Sequence, residues 1–193
     1  CTQPTSETGY NFSTADTGSL AKTGFARDGV TCATGYSGTV TETACTTGGQ
    51  DYTVAGCDAD CTQPTSETGY NFSTADTGSL AKTGFARDGV TCATNYVGTV
   101  TETACTTGGQ NYTVAGCEGV CTDPGSAPTG YTFASTLGGD LKMASFSRTG
   151  ITCDTGYSGT VLATVCGSAG GAWTLSGCAS TADCTQPTSE TGY

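Results

Sequence analysis

A unit of sixty residues with four cysteines at fixed places recurs along this chain, and the repeat limits what it can fold into. Residues 1–60 and 61–120 differ only at Gly35/Asn95, Ser37/Val97, Asp51/Asn111 and in the last three residues, Asp58-Ala59-Asp60 against Glu118-Gly119-Val120. Residues 121–183 form a third, diverged copy. It keeps the four cysteines, the Thr129-Gly130-Tyr131 step after the first of them, and the run from Cys153 through Gly156-Tyr157-Ser158-Gly159 to Val161. Residues 184–193 then restate residues 1–10 without a change, so they read as the start of a fourth module. The pattern predicts a window on a longer array with a super-period of 183 residues, and a truncated stretch is the plainer alternative.

Composition explains why the repeat must be small and cross-linked. Thirteen cysteines and thirty glycines accompany one Met and one Trp, so no large apolar core is available to offset the entropy of ordering the chain. Disulfides take over that task in small units, and they persist in oxidising compartments. The expected setting is therefore extracellular or at a cell surface. A cytosolic metal–cysteine protein is the competing reading, but there is no CxxC pair and no His. The net charge of −11, with six basic residues, supplies no stripe to neutralise phosphates, which argues against nucleic acid and anionic membranes as partners. No apolar run approaches membrane-spanning length, so no membrane insertion is expected in this segment. The sequence starts at Cys1 without Met and shows no signal peptide, so it reads as a mature or excerpted segment.

Periodicity predicts an all-β fold. Tyr10 and Phe12 alternate with Asn11 and Ser13, and Phe25 to Cys32 is a second strand candidate. The run Thr39 to Cys45, β-branched with Thr at every second position, is a third, and Tyr52-Thr53-Val54 a fourth. Glycine pairs and Gly-Tyr or Asp-Gly steps punctuate them, and no segment has helical periodicity. Four cysteines per module allow three pairings, among which spacing cannot choose.

The order of these landmarks resembles the complement control protein, or sushi, module. Cys32-Ala33-Thr34-Gly35-Tyr36-Ser37-Gly38 leads to Cys45-Thr46-Thr47-Gly48-Gly49-Gln50-Asp51-Tyr52 and then Cys57, and the third copy has Trp173 at the aromatic position before Cys178. Tyr52 and Tyr112 stand where the family usually has Trp, Gly56, Gly116 and Gly177 stand where it has Pro, and Asn95 replaces the Gly of Gly-Tyr. The resemblance implies sushi-like modules at 1–60, 61–120 and 121–183, in a tandem array of small two-disulfide β modules forming an elongated rod. It also implies pairing of first cysteine with third and second with fourth: Cys1–Cys45, Cys32–Cys57, Cys61–Cys105, Cys92–Cys117, Cys121–Cys166 and Cys153–Cys178, with Cys184 paired outside this stretch.

Asn-x-Ser/Thr sequons begin at Asn11, Asn71 and Asn111, and alternation places each Asn opposite a neighbouring aromatic, toward solvent. Ser/Thr-rich segments around Pro suit O-glycans at Thr2, Thr5, Ser6, Ser126 and Thr129, and the stripe of Thr39, Thr41 and Thr43 suits either O-glycans or a plain exposed strand face. Covalent glycans are expected and no cofactor is. Without His, and with the cysteines committed to bridges, no catalytic set can be assembled; Lys22 and Lys82 lie in polar stretches. Asp58-Ala59-Asp60 is a weak calcium hint without EF-hand spacing. The expectation is a non-enzymatic structural repeat of a glycosylated extracellular filament or cell-surface stalk, partnered by neighbouring modules or copies of itself. The alternative is a complement-control-type adhesion or recognition array that binds a protein or glycan through avidity.

Overall fold

The computed structural model describes residues 1–182. Cys184 and the start of the fourth repeat lie outside the described residues. The fold is all-β, built from two-stranded antiparallel sheets. The first copy contains β1 (Tyr10–Asn11), β2 (Thr31–Cys32), β3 (Tyr36–Thr43) and β4 (Thr53–Ala59). The second repeats them as β5 (Tyr70–Asn71), β6 (Thr91–Cys92), β7 (Tyr96–Thr103) and β8 (Thr113–Gly119). The third has β9 (Tyr131–Gly138), β10 (Thr149–Cys153), β11 (Tyr157–Thr164) and β12 (Thr174–Ser180), plus one 3-10 turn at Met143–Ser145. The chain divides into two compact units: Cys1–Thr91 with Val100–Ala115, and Cys92–Thr99 with Gly116 onward.

In the first unit, β1 pairs with β2 (Tyr10 opposite Cys32) and β3 with β4 (Tyr36 opposite Ala59, Thr43 opposite Thr53). The long hairpin has a register shift between Gly38 and Thr41. Glycine is required there for two reasons. Gly38 (φ 140°) and Gly56 (φ 105°) have positive φ, and a Cβ on either would run into the opposite strand, at the carbonyl of Gly56 or of Thr39 respectively. This crossing places a glycine immediately before Cys57, and Gly177 before Cys178 crosses Gly159 in the same way.

Four sequence expectations change: the strand expected from the alternation at Tyr10–Ser13 is only Tyr10–Asn11, and the one expected at Thr39–Cys45 lies at Tyr36–Thr43. The strand expected across Phe25 to Cys32 is reduced to Thr31–Cys32. The preceding residues instead lie against the chain that follows β1: Ala26 N–H donates to the Ser19 carbonyl (3.0 Å) and Asp16 N–H to the Asp28 carbonyl (2.9 Å). The strand expected at Tyr52–Val54 begins at Thr53 and runs on through Cys57 to Ala59, because the glycine crossing lets the hairpin continue past its irregularity.

Among the described residues, six disulfides join first cysteine to third and second to fourth: Cys1–Cys45, Cys32–Cys57, Cys61–Cys105, Cys92–Cys117, Cys121–Cys166 and Cys153–Cys178. Five of the ten fully buried hydrophobic residues described are half-cystines, so sulfur forms much of what core there is. Beside each Cys-first bridge sits one buried aromatic flanked by two phenylalanines. Tyr52 meets Phe12 and Phe25 at ring separations of 6.5 and 5.4 Å, Tyr112 meets Phe72 and Phe85 at the same distances, and Trp173 meets Phe133 and Phe146 at 5.8 and 6.3 Å.

An arginine completes each core, and nothing in the pattern of the sequence marks it. The Arg27 side chain is 8 % exposed, donates to Gln3 Oε1 (2.6 Å) and lies 3.7 Å from Asp16. Arg148 sits 5.6 Å over the Trp173 ring and pairs with Asp123 Oδ1 at 2.6 Å, the same oxygen that accepts from Trp173 Nε1 at 2.8 Å. The tyrosine cores lack that last bond: no acceptor takes the proton of the buried Tyr52 and Tyr112 hydroxyls, which have the Arg27 and Arg87 guanidinium groups as neighbours. Burial pushes the Tyr52 hydroxyl above its ordinary pKa, with the Glu42 carboxylate adding to the shift and Arg27 opposing it.

Two expectations follow. The bridges span 25, 44 or 45 residues, for which loop entropy gives about 3.5–4 kcal/mol each. Reduction without denaturant should therefore abolish the β-sheet circular dichroism, and modules that kept it with all thiols free would contradict this account. Tyr52→Phe removes a buried hydroxyl whose proton has no acceptor and whose desolvation costs about 1–3 kcal/mol, so thermal denaturation should show the variant at least as stable as the parent.

Candidate functional site at the module junctions

Where one repeat gives way to the next, three residues separate the cysteines, and the backbone of the last of them serves both sides. At the first junction, Asp60 N–H donates to the Gly35 carbonyl of its own repeat (2.9 Å), and the Asp60 carbonyl accepts from Gly109 N–H of the following one (2.8 Å). The Asp60 carboxylate accepts a hydrogen bond from Ser37 Oγ, and Asp58 lies 3.9 Å from Lys82 Nζ. The acidic triplet suggested as a calcium hint is thus spent on a hydroxyl and an ammonium group. Among the described residues, no group of three or more His, Cys, Asp or Glu side chains is placed to hold a metal.

The second junction, within the other unit, repeats the backbone clamp with different side chains. Val120 N–H donates to the Asn95 carbonyl (2.9 Å), and the Val120 carbonyl accepts from Gly170 N–H (2.8 Å). Val120 also bridges Lys142 in antiparallel fashion, and Glu118 Oε1 accepts from Ala144 N–H at 2.9 Å. Asn95 is the only described non-glycine residue with positive φ (68°), a conformation that Asn tolerates better than most side chains. Val97, the counterpart of Ser37, is 40 % exposed.

The glycan acceptor candidates sit on the outer faces. Asn11, Asn71 and Asn111 are exposed beside the partly or fully buried Phe12, Phe72 and Tyr112. Asn11 and Asn71 each close a local turn in which the side-chain Oδ1 accepts the backbone N–H of Ser13 or Ser73 at 3.0 Å. Asn111 instead uses its Oδ1 to accept from Thr62 Oγ1 at 2.7 Å, a tie between two backbone segments. Thr2, Thr5, Ser6, Ser126 and Thr129 are exposed; the Thr2 hydroxyl donates to the Asp51 carboxylate. Thr39, Thr41 and Thr43 share the outer face of β3, while Val40 and Glu42 turn inward and Glu42 Oε1 accepts from Val30 N–H at 2.9 Å.

The shifted carboxylates in this chain are structural. Asp16 is held below its ordinary pKa by the backbone N–H groups of Gly18 and Asp28, with Arg27 adding to the effect; Asp76 is held down by Asp88, Gly78 and Arg87, and Asp140 first by the Lys142 N–H and then by Ser145. Each organises its own loop: Asp16 accepts from the Gly18 and Asp28 N–H groups, Asp76 from those of Gly78 and Asp88, and Asp140 from the Lys142 N–H and the Ser145 hydroxyl. A search of known protein families, of curated proteins and of solved structures finds no match to this chain. The chain is made of repeated, disulfide-stabilised β modules, a construction suited to oxidising, extracellular conditions in a structural or recognition role. None of the described helices is long and apolar enough to cross a membrane.

Linkage gives the sign of a pH effect. A carboxylate whose folded pKa lies below its unfolded value of 3.8 contributes stability that is whole above that value and is lost as pH falls through the folded pKa. In thermal melts below pH 3.8, the Asp16→Asn/Asp76→Asn variant should show a shallower dependence on pH than the parent. Superimposable slopes would count against these two groups.

Proposed function

We propose that this chain is a non-enzymatic structural repeat of an extracellular, glycosylated filament or cell-surface stalk, built from sushi-like modules whose partners are neighbouring modules or further copies of the chain. One observation carries the reading. At both junctions a single linker residue, Asp60 or Val120, hydrogen-bonds through its N–H to the repeat behind and through its carbonyl to the repeat ahead. A three-residue connection tied on both sides restrains one module against the next, which suits a role in which spacing matters. A chain of independent binding heads would have no need of it.

Other features support the same reading. The faces offered by the first two repeats are almost the same, which suits positional repetition better than a unique ligand site. Asn11 and Asn71 recur at the same place in the first two repeats, exposed and held in the same local turn, so N-glycans there would coat equivalent positions of those two copies. The order of cysteines, Gly-Tyr step and aromatic position favours a sushi-like assignment for the modules. The charge of −11 keeps neighbouring surfaces soluble and mutually repelling.

Negative-stain microscopy of native material, paired with mass spectrometry of its glycopeptides, tests this. The expected result is long regular fibres carrying glycans on the Asn11 and Asn71 peptides. Dispersed short particles that capture a soluble ligand would replace this reading with the recognition one.

A further inference from the structure

The first two repeats are almost the same sequence, yet their six differences are not scattered. Five of them, at Gly35/Asn95, Ser37/Val97, Asp58/Glu118, Ala59/Gly119 and Asp60/Val120, fall at the end that meets the next repeat; only Asp51/Asn111 lies elsewhere. In the first copy these positions are neighbours in space: Ser37 pairs across the hairpin with Asp58, Tyr36 with Ala59, and the Gly35 carbonyl with Asp60 N–H. The two ends also meet different faces. The first end meets Gly108 and Lys82 of the second repeat, and the second meets Ala169 and Met143 of the third.

The contacts are reciprocal. At the first junction the end carries the methyl group and the face has none: a Cβ added to Gly108 would stand 2.9 Å from the Ala59 Cβ and collide with its carbonyl oxygen. At the second junction the face carries the methyl and the end has none: a Cβ added to Gly119 would stand 3.0 Å from both the Ala169 Cβ and the Met143 Sδ. Neither Gly108 nor Gly119 has positive φ, so backbone conformation does not demand glycine at either place; the neighbour across the junction does.

Polar groups follow the same division. Asp58 faces the Lys82 ammonium group at 3.9 Å. Glu118, one methylene longer and opposite a face where Met143 replaces that lysine, reaches the Ala144 backbone N–H at 2.9 Å instead. Asn95 packs against Gly170, where any side chain would overlap its amide.

We infer that the junctions are keyed: one methyl group per contact, carried by the end in one case and by the face in the other, makes each module end selective for one kind of module face and so fixes the order of the repeats. An end with Asp-Ala takes a face with Lys and Gly; an end with Glu-Gly takes a face with Met and Ala. The selectivity belongs to the junctions themselves and holds whether the array serves as a filament or as a recognition surface.

The test is a rescue experiment on the full chain, read by amide hydrogen exchange. Gly119→Ala places methyl against methyl and should lower the protection of the Gly170 amide about tenfold or more. The Trp173 amide, bonded to Thr122 within its own repeat, serves as an internal reference and should not change. Adding Ala169→Gly removes the opposing methyl, as Gly108 does at the first junction, and leaves only the flexible end of Met143 to move aside, so it should restore Gly170 to within about threefold of the parent. Gly108→Ala should lower protection at Gly109 in the same way. Unchanged protection in Gly119→Ala, or a double variant no better than the single one, overturns the key.

Discussion

Each repeat depends on the covalent closure of its chain by two crossed disulfides, the first of which packs against the buried Tyr112 or Trp173 ring in the second and third copies. Phe12, Phe25 and Tyr52 together form less apolar interior than a domain of sixty residues ordinarily needs, and the half-cystines occupy much of the remaining buried volume. The bridges act chiefly on the unfolded state by removing conformations that the open chain would otherwise explore. That leaves the native core free to be small and partly polar. It also accounts for a buried arginine in a repeat with so few large apolar residues: Arg27 ties the loop carboxylate of Asp16 to the core, and Arg148 covers the Trp173 ring and holds the Asp123 side chain.

The long hairpin sets the rest. β3 and β4 cross at Gly38 and Gly56, and the crossing carries β4 beyond Cys57 to Ala59. The hairpin therefore delivers the last residues of the repeat to the start of the next one. Glycine before the fourth cysteine and the Gly-Tyr-x-Gly step are two halves of one device: the first lets the strands cross, and the second positions the carbonyl that anchors the linker N–H. The same arrangement recurs in the third, diverged copy, where Thr181 N–H donates to the Gly156 carbonyl at 2.9 Å.

Much of this was legible in the sequence, and the parts that were not have a common cause. The fourfold cysteine pattern implied small stapled β units, the pairing implied by the sushi resemblance is the one the structure contains, and the alternation at Thr39–Thr43 identified a true strand face, whereas the strand expected from Tyr10 to Ser13 is only the two residues Tyr10–Asn11. The extent of β4 was missed because glycine reads as a breaker until its partner strand is known. Arg27, Arg87 and Arg148 were missed because an isolated cation in a polar stretch looks like surface; only folding brings it over the ring of a residue some 25 positions away, as with Arg148 and Trp173. The junction was hidden for a related reason. Five substitutions between near-identical copies look like drift until they are seen on one end, facing two different neighbours.

The crossed bridges also bear on how far a repeat can be drawn out by tension. Pulled from its first and fourth cysteines, the polypeptide carries load across the Cys1–Cys45 bridge and then along the segment from Cys45 to Cys57. Those 12 residues span at most about 41 Å when straight, whereas the open chain from Cys1 to Cys57 would reach about 190 Å. Even with every hydrogen bond broken, most of the contour length stays locked behind sulfur. Such a repeat yields little slack before its covalent limit, and it keeps its loops at hand for recoil once the load is gone.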